Sequence, residues 1–219
     1  MFPLSINNYA EIGAFLVSAI TWKKFRDTPF RLFPFFLLFI VLVELFGRYI
    51  KYDLRYRNNA WLYNISTTVE FVFYAFIFSK TLKDRNYRKI PRLFMIFYPV
   101  LVFLNCWLVQ GFTNWHSHTM ALGSVCTIIF CCLFFYELLM NPVEEELRRD
   151  PMFWICTGIL FFYLGGLAYD LLYSLIVRNS SDMGRKLFQS INNNLILMLY
   201  SCFVIGFLCK RTIPRSLSQ

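Results

Sequence analysis

The side chain with the clearest chemical potential in this sequence is Glu70, a carboxylate near the midpoint of an apolar stretch. The stretch Trp61–Lys80, WLYNISTTVEFVFYAFIFSK, has the length of about twenty residues that a helix needs to cross a bilayer core. A charged group at that depth costs roughly 2.5 to 3.5 kcal/mol on insertion scales, so Glu70 must face protein or water rather than lipid. One helix cannot provide that shelter. The sequence therefore predicts a polytopic bundle with a polar interior.

Glu70 shares one face of its predicted helix with other polar side chains. At about 100° per residue, the residues on that face fall within a sector roughly 60° wide; they are Tyr63, Thr67, Glu70 and Tyr74. The hydroxyls of Tyr63 and Tyr74 are placed to hydrogen-bond the carboxylate, and its own helix offers no basic residue within a turn. Two roles stay open: an acid that binds a ligand or an ion, or a protonated or hydrogen-bonded acid of the core.

Other apolar segments also carry polar side chains. Glu44 stands four residues before Arg48 on one helix face, a spacing that suits an ion pair and would explain why Glu44 is tolerated there. The remaining candidates for contact with a ligand or an ion are Glu11, Asp170, Asn64, Asn105 and Asn193. With the orientation predicted below, these residues fall in the outer half of the membrane, whereas the inner half is nearly apolar. We therefore expect an acidic, polar cavity that is open to the outside and closed towards the cytoplasm.

The composition indicates an integral membrane protein. Of the 219 residues, 58% are hydrophobic, 20% are aromatic and only 16% are charged, which a soluble domain of this size would not show. The formal net charge of +9 would suggest nucleic-acid binding in a soluble protein. Here the Lys and Arg residues stand between apolar runs, where they orient helices and meet lipid headgroups. We expect the lipid bilayer to be a partner and nucleic acid not to be one.

Seven apolar segments separated by short breaks predict an all-α, polytopic transmembrane bundle of seven helices in a single domain over residues 1–219. The expected helices are approximately Ser5–Trp22, Phe30–Ile50, Asn59–Ser79, Leu93–Gln110, Thr119–Met140, Met152–Ile176 and Leu187–Cys209. Of the 22 Lys and Arg residues, fifteen fall in one set of connections and seven in the other. This asymmetry places the N-terminus outside and the C-terminus in the cytoplasm of a multi-pass cell-membrane protein.

Short local signals predict how some of these helices begin. Asp150 followed by Pro151 is typical of a capped start and opens the sixth helix. Asn141-Pro142, followed by Glu144, Glu145 and Glu146, predicts a short polar helical turn before it.

Small and polar residues indicate where the helices pack closely. Gly165 and Gly166 allow the sixth helix to approach a neighbour, and Gly123 is a weaker signal of the same kind on the fifth. Asn193 and Tyr200 share a polar stripe on the seventh helix. Such amides either join helices to one another or contact a ligand, and both roles stay open.

Motifs for catalysis, metal binding or cofactor binding are missing. The seven cysteines lie in apolar runs without a CxxC pair and are expected to be buried small hydrophobes, and a Cys106–Cys126 disulfide has no support. The two histidines, His116 and His118, do not complete a zinc site by themselves, and we expect them in a surface loop. Nucleotide-binding and nucleophile-elbow motifs are absent. We therefore predict no enzyme, no catalytic residue, no metal and no cofactor.

Three stretches of the chain resemble a group of small bacterial integral membrane proteins; they are NNAWLYNISTTVEFVFYAF, FFYELL and FWICTGILFFYLGG. The resemblance covers most of the chain and implies about seven helices in a bacterial inner membrane. Such proteins accompany sensory systems, which implies a role in signalling. The group has no established function, so the resemblance transfers no functional residue.

Three functions fit these observations. The preferred one is a receptor-like protein that senses a polar or cationic ligand, or a proton, at Glu70 and, having no effector domain, acts through a membrane protein partner. The alternative is a small-solute or cation transporter or channel, since Glu44 and Asp170 occupy comparable depths in the second and sixth helices. That alternative requires a polar path through the inner half. A structural subunit of a larger membrane assembly is the third.

Overall fold

The computed structural model describes residues 5–52, 58–140, 147–176 and 181–209, where every regular element is helical. For the helix residues between 170 and 188 only the backbone is described. The long helices are α1 Ile6–Ile20, α2 Phe33–Tyr52, α3 Ala60–Thr81, α4 Arg85–Asn105, α5 Ser117–Met140, α6 Pro151–Ile176 and α7 Ser181–Leu208. The all-helical class predicted from the sequence is confirmed. By length and composition, six of these helices, α2 to α7, can cross a membrane.

The first helix is the shortest of the seven. α1 has 15 residues and, at about 1.5 Å per residue, spans roughly 22 Å, which is less than the ~30 Å hydrocarbon core of a bilayer. The chain then tightens into a 3₁₀ turn at Trp22–Phe25. Length and composition therefore support six crossings, one fewer than the seven that the sequence predicts.

The helices form a closed ring with α3 towards its centre. Each helix packs against the next one along the chain, and α7 returns to pack against α1. α3 additionally packs on α5, and the Phe71 ring of α3 lies 5.2 Å from the Tyr163 ring of α6. On its opposite side, Phe73 of α3 stacks on Phe36 of α2 with ring centroids 4.0 Å apart. α3 is thus the helix that touches most of the bundle, and it is the helix that carries Glu70.

An aromatic cluster fills the end of the bundle where α1 leads into α2. The Phe33 ring lies 5.6 Å from Phe203 and 5.3 Å from Phe207, and Phe25 lies 6.0 Å from Phe207, all three pairs edge to face. All four rings are buried. Edge-to-face pairs add about 0.5 to 1.5 kcal/mol each beyond the burial of their area. This cluster occupies the half of the bundle that the sequence predicts to be apolar.

Large apolar side chains also cover the outside of the ring. Examples from different helices are Ile20, Phe35, Ile65, Ile96, Leu108, Leu139 and Phe161, all of them exposed. Soluble monomers rarely present apolar area on this scale. The surface therefore fits contact with lipid.

Two helices, α4 and α7, begin more than one turn before the predicted residue. α4 starts at Arg85, eight residues before the expected Leu93, because the Asp84 carboxylate accepts hydrogen bonds from the first backbone amides of the helix. The basic run that the sequence places in a connection is therefore largely helical. α7 likewise starts at Ser181 rather than at Leu187.

The predicted start of the sixth helix is confirmed. α6 begins at Pro151, and the backbone N–H of Met152 donates to Asp150 Oδ1 at 2.8 Å. The polar turn expected from Asn141 to Glu146 lies outside the described residues. Gly165 packs closely as predicted, since a Cβ there would meet the Leu195 side chain at 2.7 Å. The neighbouring Gly166 faces open space and has no such role.

A buried carboxylate fixes the connection between α3 and α4. The backbone N–H groups of Lys83 and Asp84 donate to the two oxygens of Glu137, both at 2.8 Å. Glu137 comes from the end of α5, so it ties this connection to a third helix. A recess of about 540 Å³ lies beside it and is lined by Lys83, Asp84, Tyr87, Tyr136, Glu137 and Met140.

Gly123 allows α5 to approach α3, and this contact can be tested. A Cβ at Gly123 would lie 2.6 Å from two atoms of the buried Phe71 ring, whereas a Cβ at Gly13 on α1 would meet nothing within 4 Å. We expect Gly123→Ala to lower stability by about 1 to 3 kcal/mol, because the ring must move within a packed core. Gly13→Ala should be neutral or stabilising by up to about 1 kcal/mol, since alanine favours the helix.

The measurement is thermal unfolding of both variants in the same detergent. Equal midpoints for the two variants would contradict the close packing of α5 on α3.

Candidate functional site

Glu70 is held by two tyrosine hydroxyls from different helices. The Tyr74 hydroxyl donates to Glu70 Oε1 at 3.1 Å, and the Tyr163 hydroxyl donates to the same oxygen at 2.9 Å. Both tyrosines are buried, and Glu70 is half-buried. Within the described part of the chain, Oε2 accepts no hydrogen bond. One oxygen of Glu70 is therefore committed to joining α3 with α6, and the other remains available as an acceptor.

Local packing explains this geometry. Tyr74 lies one turn after Glu70, so the two side chains share a face of α3. Tyr163 reaches the carboxylate from α6 because its ring packs against Phe71, the residue next to Glu70, at 5.2 Å. Phe71 in turn lies against Gly123, where a side chain would collide with it. The hydrogen bond from Tyr163 thus depends, through Phe71, on a close contact between α3 and α5.

A second group of polar side chains lies where α1, α2 and α3 meet. Arg48 donates from Nη2 to Ser5 Oγ at 2.8 Å, and it interacts electrostatically with Glu44, as their four-residue spacing predicts. Glu44 Oε2 accepts from the Tyr63 hydroxyl at 3.4 Å. Tyr63 therefore contacts Glu44, although the helical wheel places it on the face of Glu70. Gly47 makes room for this contact, because a Cβ there would lie 2.7 Å from the Tyr63 hydroxyl oxygen.

Glu11 connects the two groups. Its side chain is only 7% exposed, and its Oε2 accepts from Asn8 Nδ2 at 3.5 Å. Glu11 interacts electrostatically with Glu44, Arg48 and Glu70. The structure therefore brings three of the predicted acids, Glu11, Glu44 and Glu70, within electrostatic reach of one region. We call these three residues the carboxylate cluster.

Tyr200 of α7 closes the cluster on another side. It is buried, and it interacts electrostatically with Glu11, Glu44 and Glu70. Four helices surrounding α3, namely α1, α2, α6 and α7, therefore contribute an acid, a guanidinium or a hydroxyl to the cluster region.

Two predicted amides lie elsewhere. Asn64 donates from Nδ2 to the Asn114 carbonyl at 2.8 Å and accepts from the His116 backbone N–H at 3.2 Å. Asn105 donates from Nδ2 to Gln110 Oε1 at 2.8 Å. Both side chains are buried and use their hydrogen bonds to hold the connection between α4 and α5. These hydrogen bonds do not join either of them to the carboxylate cluster.

The last two predicted site residues are Asn193 and Asp170. Asn193 is exposed and accepts from Asn7 Nδ2 at 2.7 Å, so it joins α7 to α1 at the bundle surface. Asp170 belongs to α6, but its side chain lies outside the described part of the structure.

His116 departs from the surface position expected from the sequence. It is buried, with a ring nitrogen 2.8 Å from the Gly111 carbonyl oxygen, whereas His118 is exposed as expected. The reason lies in the preceding turn: α4 ends in a π-helical segment at Cys106–Gln110, and Gly111 with φ 77° redirects the chain inward. All seven cysteines are free, which excludes a Cys106–Cys126 disulfide. The described residues contain no group of three or more His, Cys, Asp or Glu placed to hold a metal ion.

Three side chains of this region are not predicted from the sequence: Tyr163, Tyr200 as a neighbour of the acids, and Asn8. A signal for Tyr163 was present, because it stands seven residues before Asp170 and hence on the same predicted helix face. Tyr163 lies within FFYLGG, a run of apolar and aromatic residues in which a single hydroxyl does not stand out.

Comparison of the chain with protein-family models, with curated proteins and with solved structures gave no match. The resemblance to small bacterial membrane proteins therefore gains no support from them. Function has to be argued from the site alone.

The hydrogen bond between Tyr163 and Glu70 can be measured with a double-mutant cycle. We expect Tyr163→Phe and Glu70→Gln to be non-additive in the free energy of unfolding by about 0.5 to 3 kcal/mol, because the two side chains are in contact. The matched control is Ser79→Ala, which removes another buried hydroxyl of α3, one that donates to the Phe76 carbonyl at 2.8 Å. Because Ser79 lies more than two turns from Glu70, it should combine with Glu70→Gln almost additively. A coupling no larger for Tyr163 than for Ser79 would contradict the contact.

Proposed function

We propose that this chain is a receptor-like integral membrane protein that recognises a proton or a small cationic ligand at the carboxylate cluster. The observation that supports this most directly is the pair of hydroxyls, from Tyr74 on α3 and Tyr163 on α6, that meet on a single oxygen of Glu70. A binding event at Glu70 would therefore change hydrogen bonds made by two helices at once.

Charge balance favours a positively charged ligand. Among the described residues, the carboxylate cluster holds three acids, and Arg48 is the cation that interacts electrostatically with Glu11 and Glu44. Placing several carboxylates close together in a region of low dielectric is costly unless a proton or a cation offsets their charge. An organic ammonium group would also find aromatic rings beside it, since Tyr74, Tyr163 and Tyr200 surround Glu70, and such rings attract cations.

Recognition would produce a signal by shifting helix packing. Protonation of Glu70, or cation binding at its Oε2, changes how strongly Oε1 holds the two hydroxyls. Because Tyr163 belongs to α6, weaker hydrogen bonds would favour an arrangement with α6 displaced from α3. A ligand shifts such an equilibrium only through its different affinity for the two arrangements. We propose that a membrane protein partner binds the two arrangements of α6 with different affinities.

The topology is part of this proposal. We propose seven crossings with the N-terminus outside, in which the short α1 enters the bundle to supply Asn8 and Glu11. The two residues are buried on one face of α1, while Ile6, Tyr9, Leu16 and Ile20 on its other faces are exposed. An amphipathic division of this kind suits a helix between the bundle and lipid. The carboxylate cluster would then be reached from outside.

The aromatic cluster weighs against the transporter alternative. Phe25, Phe33, Phe203 and Phe207 are buried together where a path to the cytoplasm would continue. A transported ion or polar solute would have to displace several edge-to-face rings there.

The proposal predicts a response that depends on Glu70. The protein is placed in lipid nanodiscs, and hydrogen exchange of α3 and α6 is followed while the pH is varied and, separately, while tetramethylammonium is added. We expect at least one of the two treatments to change exchange in both helices of the wild type. Glu70→Gln should abolish the change, because the neutral amide cannot be protonated or attract a cation. The matched control is Glu137→Gln, which alters a buried carboxylate at the other end of the bundle and should respond like the wild type.

A wild-type response retained in Glu70→Gln would remove Glu70 from the mechanism, and the absence of any response in the wild type would contradict recognition of protons or cations. Measurement of cation flux into proteoliposomes distinguishes the receptor from the transporter. Cation uptake that requires Glu70 would favour a transporter over a receptor.

A further inference from the structure

The most positively charged surface of the described chain lies at the start of α4. Residues 80–92 contain six Lys and Arg residues and a single acid, Asp84. Three of these cations, Arg85, Lys89 and Arg92, follow one another at intervals of four and three residues, and all three are exposed. On a helix this spacing aligns them on one face. Because α4 begins at Arg85, the three charges form an ordered row instead of being scattered along a connection.

The nearby acids are occupied elsewhere. Asp84 caps α4 by accepting from the Asn86 and Tyr87 backbone amides, and Glu137 accepts from the backbone amides of Lys83 and Asp84. Lys89 donates from Nζ to the neutral Asn86 Oδ1 at 3.2 Å. Arg85 and Arg92 form no ion pair with a described carboxylate. The row therefore presents side-chain cations to its surroundings, while the helix amides themselves are already satisfied.

The same face of α4 continues as an apolar stripe. Ile96, Val100 and Phe103 follow Arg92 at helical spacing, and they are 65%, 53% and 52% exposed. Of the six membrane-length helices, α4 has the least buried span. A row of cations at the start of α4, followed along the helix by an apolar stripe, matches the two parts of an anionic lipid: the row suits its headgroup and the stripe suits an acyl chain.

We propose that this face of α4, defined by Arg85, Lys89, Arg92, Ile96 and Phe103 and called here the α4 lipid face, binds an anionic phospholipid. The two guanidinium groups and the ammonium group pair with the phosphate, for which arginine offers bidentate hydrogen bonds. One acyl chain lies along the apolar stripe. A zwitterionic lipid binds less well, because its own ammonium group is repelled by the row of cations. This site is separate from the carboxylate cluster and does not depend on the function proposed for it.

The test counts lipids bound to the purified protein by native mass spectrometry. The probes are phosphatidylglycerol and phosphatidylcholine with identical acyl chains. We expect the wild type to bind phosphatidylglycerol at a concentration several-fold lower than phosphatidylcholine. The variant Arg85→Gln/Lys89→Gln/Arg92→Gln should lose this preference by at least about fivefold, since each cation near a membrane surface contributes to binding.

A matched control removes the same amount of charge elsewhere. Lys23→Gln/Arg26→Gln/Arg31→Gln neutralises three exposed cations in the connection between α1 and α2. It should keep the preference for phosphatidylglycerol. If the α4 triple variant does not fold, the single substitution Arg85→Gln, at an exposed first turn, is compared with Arg26→Gln in the same way.

Three results would overturn the proposal. The first is equal affinity of the wild type for the two lipids, and the second is an equal loss in the α4 and control variants, which would indicate unspecific charge attraction. The third is displacement of phosphatidylglycerol by an equal concentration of glycerol phosphate, because a site that uses the apolar stripe holds the whole lipid more tightly than its headgroup.

Discussion

The requirement to enclose one carboxyl group, that of Glu70, shapes the centre of this bundle. A charge at membrane depth has to be surrounded by polar partners, and the partners here come from two helices. Tyr74 lies on the same helix as Glu70, whereas Tyr163 depends on α6 being held near α3. Packing makes this possible: Gly123 admits the Phe71 ring, which in turn lies against Tyr163. A polar contact at the centre therefore rests on an apolar contact between neighbouring helices.

The polar interior is divided into regions with different tasks. The carboxylate cluster joins α1, α2 and α3 around Glu11, with Arg48 and Tyr200 beside it. Asn64 instead holds the connection between α4 and α5, as buried amides in membrane bundles commonly do when they bind backbone groups. Beyond these regions the aromatic cluster closes the bundle end. The protein thus combines a compact acidic centre with a buried aromatic cluster at one end of the bundle.

Several individual residues show how far sequence reasoning reached. A carboxylate in an apolar run is unusual, so the sequence singles out Glu70 as an acid that needs polar partners, and the spacing of Glu44 and Arg48 predicts their electrostatic interaction. The helical wheel places Tyr63 on the face of Glu70, yet the Tyr63 hydroxyl donates to Glu44. One face of a helix can contact two neighbouring helices, and the wheel does not show which of the two a side chain reaches. Asn64 and Asn105 were grouped with the acids on the basis of depth. Their hydrogen bonds depend on the π-helical end of α4 and the turn at Gly111, which no periodicity in the sequence indicated.

The amino-acid sequence by itself determined the helical class, the apolar segments compatible with a multi-pass membrane protein and the acids within them, because length, composition and the cost of burying a charge are properties of single segments. Tertiary structure alone decided which acids meet, since this depends on helix rotation and on close approaches at Gly47 and Gly123. It also decided that Tyr163 is the partner of Glu70 and that His116 is buried. These outcomes arise from contacts between residues far apart in the chain, and neither spacing nor composition of one segment encodes them.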